Sequence, residues 1–204
     1  MTPGLVLHLR ARRAPAAVAI SAGAIALVAG GWRWLAGDLA IYPGLAVLTA
    51  ALAMAPLVPT LGGTDAALER TVALPWPPRR VAHLVTAAAI VAGLLLATRL
   101  AGAEFGPAGQ IVRNAAGLVG LAGLTAALFG AGYAWQAPIL WAGVQAFGTP
   151  DAPEAWKRAA FWLIQPAGDR AAAVTGAVLL LAGLIGYGLR AGPPVAAAQT
   201  PIDR

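Results

Sequence analysis

DAALERTVALPWPPRR, residues 65–80, is a polar interruption in a chain otherwise built from alanine, leucine, valine and glycine. Thr64 or Asp65 stands where a helix cap belongs, and acids in a first turn suit the helix dipole. Leu68 and Val72 lie four residues apart on one face, and Asp65 and Glu69 lie four apart on another. Pro75 cannot continue such a helix, and the following PWPP forms a stiff elbow that aims Arg79 and Arg80 at lipid headgroups. The spacing predicts a short amphipathic helix over 65–74, held rigidly between two oily segments.

Those segments set the class. Of 204 residues, 59% are hydrophobic and 11% charged, and the mean hydropathy is +0.74. A soluble domain carries about a quarter charged residues, so this composition describes a membrane protein. The length allows about six crossings of roughly 20 apolar residues each and leaves little for a soluble domain. The expected fold is an all-α polytopic helix bundle, with spans at about 14–35, 39–61, 81–100, 111–132, 135–148 and 171–189. The transmembrane domain then covers 14–190, preceded by an interfacial or cytoplasmic helix over 1–13 and followed by a disordered cytoplasmic tail over 191–204.

The basic residues before the first apolar run superficially resemble a signal peptide. The run exceeds about 20 residues and ends in Trp32 and Trp34, which suit the interfacial belt, so a retained first span is expected. In the second span Pro43, Pro56 and Pro59 predict a kink near its end. Gly117, Gly120, Gly123 and Gly130 let the fourth span approach its neighbours closely. The stretch 135–148 is barely long enough to cross and calls on Tyr133, Trp135 and local thinning of the bilayer. Beyond it, Asp151 is placed to cap, Pro153 to begin a helix, and Glu154 to pair with Lys157 or Arg158. Trp156, Ala160 and Leu163 then share a face, the pattern of an interfacial helix before the last span.

Six spans place both termini on one side. On that side fall Arg10, Arg12, Arg13, Arg70, Arg79, Arg80, Arg190 and Arg204; opposite fall Arg33, Arg99, Arg113, Lys157, Arg158 and Arg170. Clustering of basic residues beside span ends assigns the first side, with the segment 65–80, to the cytoplasm of a plasma membrane. The net charge of +6 is read as lipid-facing rather than nucleic-acid-binding.

Chemistry inside this chain is sparse. Cysteine is absent, and His8 and His83 have no acidic partner at helical spacing, so neither catalytic nor metal-binding residues are expected. Ser21, Thr49, Thr86, Thr125 and Thr175 are expected to bond backbone carbonyls. All eight acids are placed in loops or termini, against the buried ionisable group that ion coupling requires. No phosphate-cradling G-x-x-x-x-G-K-[ST] occurs.

The segment 65–80 resembles the coupling helix of ABC-2 type transporter permease subunits, whose pattern runs Gly-Thr-Leu-Glu, apolar residues, Pro, then Arg. Leu68 and Glu69 match Leu-Glu, Val72, Ala73 and Leu74 the apolar run, Pro75 the proline, and Arg79 or Arg80 the arginine. Ala66 and Ala67 replace Gly-Thr, and Pro77 and Pro78 set the arginine about one residue late. The resemblance implies that Asp65, Leu68, Glu69, Arg70, Val72 and Pro75 contact a separate ABC ATPase subunit, present in two copies, which binds ATP and Mg2+. It further implies a second permease subunit and export, with an apolar path suited to a drug, lipid or peptide. Asn114, Gln136 and Gln145 either face that path or bond between helices. Arg79, Arg80, Trp32 and Trp34 are expected to anchor the chain at the membrane interface. The alternative is an ATP-independent membrane protein: a structural or assembly subunit, a secondary transporter, or an intramembrane enzyme.

Overall fold

The computed structural model describes residues 14–61, 76–148 and 150–189. The expected helix over 65–74, with Asp65, Leu68, Glu69, Arg70, Val72 and Pro75, lies outside the described residues, as do 1–13 and 190–204. The described residues are helical and contain no strand.

The first apolar run forms α1, Ala14–Ala36. Pro43 then opens α2, Pro43–Met54, at the one turn where a missing N–H costs nothing. Pro56 and Pro59 withhold the donors that an α-helix would offer to Leu52 and Ala55, and the chain tightens into a 3-10 helix, Ala55–Leu61. The proline-rich end thus overwinds. At about 1.5 Å per α residue and about 2 Å per 3-10 residue, these 12 and 7 residues rise about 32 Å.

The third helix, α3, spans Trp76–Ala97. Its start corrects the elbow expected at PWPP. Pro77 and Pro78 belong to the first turn, where proline is tolerated, so Arg79 and Arg80 sit in the helix rather than in a linker ahead of it. Helix α4 covers Ala108–Phe129, and its start ahead of the expected Ile111 puts Arg113 in the second turn rather than the first. Then come α5, Gln136–Ala146, α6, Ala155–Ala160, and α7, Arg170–Leu189.

Four of these helices, α1, α3, α4 and α7, are long and apolar enough to cross a membrane. The α2 segment is the shorter apolar helix Pro43–Val58, and the 11 residues of α5 rise only about 16 Å.

The pairs α1–α2, α2–α5, α3–α4 and α3–α7 run antiparallel, whereas α4 and α7 run parallel, with Arg113 beside Gly176 and Ala127 beside Gly186. Ser21 of α1 reaches Ala53 of α2, Gly44 of α2 abuts Ala146 of α5, Leu84 of α3 abuts Gly123 of α4, and Val81 of α3 abuts Gly188 of α7. Ala14, Leu61, Trp76 and Leu189 therefore gather at one end of the bundle. At the other end the loops pair: Ile41 N–H donates to Glu104 O at 2.9 Å, and Glu104 N–H to Leu39 O at 2.8 Å. The Trp32 indole N–H adds a bond to Ala40 O at 3.0 Å, so this residue fastens a loop, whereas Trp34 is exposed.

Helix α4 is the central column: 72% of its spanning window is buried, against 22–28% for the other three. Glycine makes that possible. A Cβ on Gly117 would collide with the Trp162 ring, one on Gly120 with the Leu179–Leu180 backbone of α7, and one on Gly123 with Leu84. Gly183 returns the contact from α7 onto the Gly120 backbone. Lipid offers no hydrophobic reason for helices to associate, so close backbone approach and its dispersion energy carry the assembly. Gly130 does a different job from the other three, ending α4 at φ 96°, a conformation suited to glycine.

The hydroxyls bond as expected. Thr49, Thr86, Thr125 and Thr175 each donate to the carbonyl four residues back. Ser21 donates to Ala17 O at 2.9 Å and across to Ala53 O at 2.6 Å. In 3-10 register the Ala53 carbonyl faces Pro56, which has no N–H to give.

Gly120→Ala should destabilise the bundle by about 1–3 kcal/mol through overpacking, while Gly93→Ala, where a Cβ meets nothing within 4 Å, should not. Thermal unfolding of the two variants in one detergent measures the difference.

Candidate functional site

The sequence FWLIQP, residues 161–166, decides the end of the bundle opposite Ala14 and Leu189. A helix through it is blocked because Pro166 has no N–H for the Trp162 carbonyl and disfavours helical backbone at Gln165. Helix α6 stops at Ala160, and Phe161 leaves it at φ −98°, ψ 39°. The expected amphipathic face is corrected accordingly. Trp156 is exposed, whereas Trp162, Leu163, Ile164 and Gln165 turn inward and are buried.

Irregular backbone inside a bundle needs side chains to replace the ladder it has lost. Leu163 shows how. Its N–H donates to Gln145 Oε1 at 2.7 Å. Its carbonyl accepts from Asn114 Nδ2 at 2.7 Å and from Gln110 Nε2 at 3.2 Å. Both backbone polar groups of one buried residue are thus held by side chains of α4 and α5.

The next two carbonyls belong to Arg113. Its guanidinium donates to Gln165 O at 2.6 Å and Pro166 O at 2.8 Å, and its Nε to Asn114 Oδ1 at 3.3 Å. An arginine fully inside an apolar bundle is costly unless its donors are met, and here the turn supplies the acceptors. Gly176 of α7 leaves room for it, since a Cβ there would lie 3.0 Å from Arg113 Cγ.

Outside the turn the cluster continues into the α7 cap. Asp169 Oδ1 accepts from Ala172 N–H at 2.7 Å, and its Oδ2 lies 2.9 Å from Arg158 Nε. Glu154 pairs with Lys157 at 3.0 Å, while Arg158 takes Asp169. The hydrogen bond from Lys157 holds the Glu154 carboxyl below the usual carboxylate range. Asp151 does not cap a helix: it sits at φ 57° in a turn, and its N–H donates to Gln165 Oε1 at 3.1 Å.

Against the turn's anchoring residues lies a cavity of about 120 Å³. Pro43, Val47 and Ala50 of α2 form one wall, Gln110 and Asn114 of α4 the other, and Phe105 closes it from the loop. Gln110 and Asn114 put amide side chains into its lining, which Pro43, Val47 and Ala50 otherwise keep apolar. Two buried donors at this end of the bundle, Gln145 Nε2 and Trp162 Nε1, have no hydrogen-bond partner among the described residues. Each such group costs about 1–3 kcal/mol, which makes the turn the least satisfied part of the core.

Of the polar residues picked out by sequence, Asn114 and Gln145 converge on Leu163, whereas Gln136 lies at the start of α5, at the opposite end. Arg79 is exposed, and Arg80 stands 6.0 Å from the Tyr187 ring centroid. His83 Nε2 lies 2.9 Å from Thr60 Oγ1 and joins the start of α3 to the end of the 3-10 helix. Among the described residues Asp38, Glu104, Asp151, Glu154 and Asp169 all lie outside the helices, and no group of three His, Asp or Glu is placed to hold a metal.

Sequence reasoning missed Arg113, Gln110 and Gln165. The available signal was an Arg-Asn pair one turn inside a glycine-rich apolar span. It acquires meaning only beside a proline-broken segment rich in carbonyls without donors. Comparison with protein-family models, curated proteins and solved structures finds no match.

Gln145→Leu should cost about 1–3 kcal/mol, because it strands the buried Leu163 N–H. Thermal unfolding checks the loss. Hydrogen exchange should show faster exchange confined at first to residues 161–165, with the α4–α7 crossing still protected.

Proposed function

We propose that this chain is the transmembrane permease subunit of an ABC-2 type exporter, working with a separate ATPase that binds ATP and Mg2+. The observation that carries the reading is topological. The bundle brings Leu61 and Trp76, which flank the segment 62–75, to the same end as Ala14 and Leu189, while the anchored turn 161–166 closes the other end. A coupling element belongs at an end where a cytoplasmic partner can grip it, away from the outer closure of the path.

Six crossings complete this reading. The 3-10 continuation carries α2 to membrane length, and α5 crosses with local thinning and the help of its aromatic neighbours. Both chain ends then face the cytoplasm of a plasma membrane. A second permease chain, identical or not, supplies the other half of the path, and two ATPase subunits sit beneath.

The energetics follow from rigidity. ATP-driven closure of the ATPases displaces the helix at 65–74. Because Pro77 and Pro78 lie within the first turn of α3, little slack separates that helix from the span. Helix α3 packs Leu84 against Gly123 of α4, and α4 carries Arg113 and Asn114, which hold the turn 161–166. A push at one end thus arrives through packed backbone at the turn, where Trp162 Nε1 has no hydrogen-bond partner among the described residues. The cavity beside Gln110 and Asn114 is the outer part of the path, and its mostly apolar walls suit a drug, lipid or peptide.

A structural or assembly role without ATP is the competing reading. Leu68→Arg with Glu69→Lys separates them. In the exporter, copurification with its ATPase subunit should fall at least tenfold, and substrate-stimulated ATP turnover should fall with it. Undiminished association and turnover would remove the coupling role.

A further inference from the structure

Gln110 has one oxygen to spare. Its Nε2 donates to Leu163 O at 3.2 Å, while its Oε1 accepts from no donor among the described residues. The other amide in the cavity wall has both of its polar atoms engaged: Asn114 gives Nδ2 to Leu163 O and accepts from Arg113 Nε on Oδ1. Gly106 is what uncovers the Gln110 oxygen. At φ 122° it holds a conformation that side chains rarely adopt, and a Cβ there would stand 3.3 Å from Oε1. Its own carbonyl is taken by Arg99 at 2.5 Å. Around the free oxygen the cavity is neutral and narrow. Pro43 and Pro107 are exposed and mark its mouth at the loop end, while Val47, Ala50, Leu95 and Ile111 are buried and form its floor. None of the lining residues carries a charge.

We propose that this cavity binds a neutral, single-ring compound bearing a hydroxyl, a phenol or a benzyl alcohol, with the ring between Val47 and Ile111 and the hydroxyl donated to Gln110 Oε1. The size follows from the volume. At about 120 Å³ the cavity is close to the roughly 150 Å³ of an engineered apolar cavity that holds benzene, so one six-membered ring fits and two fused rings do not. The single hydroxyl follows from the single spare acceptor. A buried water asks for about two to four polar partners, more than one amide oxygen provides, whereas a phenol asks for one and covers the apolar floor with its ring. A cation finds no carboxylate in the lining and an anion no guanidinium, which disfavours charged compounds. As a statement about cargo, the inference rests on the exporter reading and narrows the drug, lipid or peptide class to amphiphiles whose inserted end is such a group. As a statement about binding, it needs no ATPase.

The full chain, purified in a neutral detergent, is titrated with para-fluorophenol and with fluorobenzene, and fluorine NMR separates bound ligand from ligand in micelles. Para-fluorophenol should saturate at one equivalent per chain and bind about three- to tenfold tighter than fluorobenzene, the share of one hydrogen bond. Gln110→Leu, which leaves Leu163 O its bond from Asn114, should erase that advantage without weakening fluorobenzene. Ala50→Leu and, by a second route, Ala46→Leu put a larger side chain into the cavity and should abolish binding of both compounds, with unfolding midpoints at or above wild type to show that the bundle folds. An absence of saturable binding to the wild-type chain, equal affinity for the two compounds, an advantage that survives Gln110→Leu, or binding that survives both filled variants would each overturn the site. Each of these results leaves the effect of Leu68→Arg with Glu69→Lys on ATPase association as it was, so the two readings fail separately.

Discussion

The backbone N–H and carbonyl of Leu163 lie out of reach of water and outside any helix, and three amide side chains satisfy them. That constraint organises one end of the molecule. Backbone polar groups within a membrane bundle need partners, and a helix normally provides them without help. Once Pro166 forbids a helix through 161–166, the partners come from elsewhere, and Gln110, Asn114 and Gln145 take up those positions on α4 and α5. Arg113 then satisfies the next two carbonyls and is itself satisfied by them. Removing the arginine leaves the carbonyls short of donors, and unfolding the turn leaves a charge without acceptors.

This arrangement requires α4 to lie within one side chain's reach of the turn, and its glycines provide that closeness. Trp162 rests on Gly117, and α7 rests on Gly120 through Gly183. Polar staple and glycine packing are therefore parts of a single device. The glycines bring backbones together in a solvent that does not drive them together, and the staple makes one register of that contact better than its neighbours. The cavity under Gln110 and Asn114 lies where these two requirements meet, because amides turned toward the turn leave an unfilled space on the α2 side.

Much of the helical framework was legible in composition and periodicity because long apolar runs between loops admit few alternatives. The glycine contacts were legible for the same reason: Gly117, Gly120 and Gly123 recur at helical spacing, and only close packing rewards that. Boundaries beside proline were harder. Pro77 and Pro78 look like a linker by residue type yet fit a first turn, where their missing N–H groups are no loss. Periodicity also misled at Trp156, Ala160 and Leu163, whose shared face exists only if the helix continues; Phe161 ends it one residue after Ala160. Arg113 was placed near the start of the fourth span and counted with the charges of that side, because a charge near a span end is ordinarily solvated. Its true partners, the carbonyls of Gln165 and Pro166, are 52 and 53 residues away, and no local pattern reveals them.

The account stands on the orientation of the bundle, since a cytoplasmic ATPase can grip the segment 65–74 only if that end faces the cytoplasm. The chain has no cysteine of its own, so a single engineered thiol reports its side of the membrane cleanly. Ala67→Cys and Ala167→Cys are treated with a membrane-impermeant maleimide in intact cells and in inverted vesicles. The account predicts that position 67 reacts only in inverted vesicles and position 167 only in intact cells. Reaction of position 67 in intact cells would contradict it.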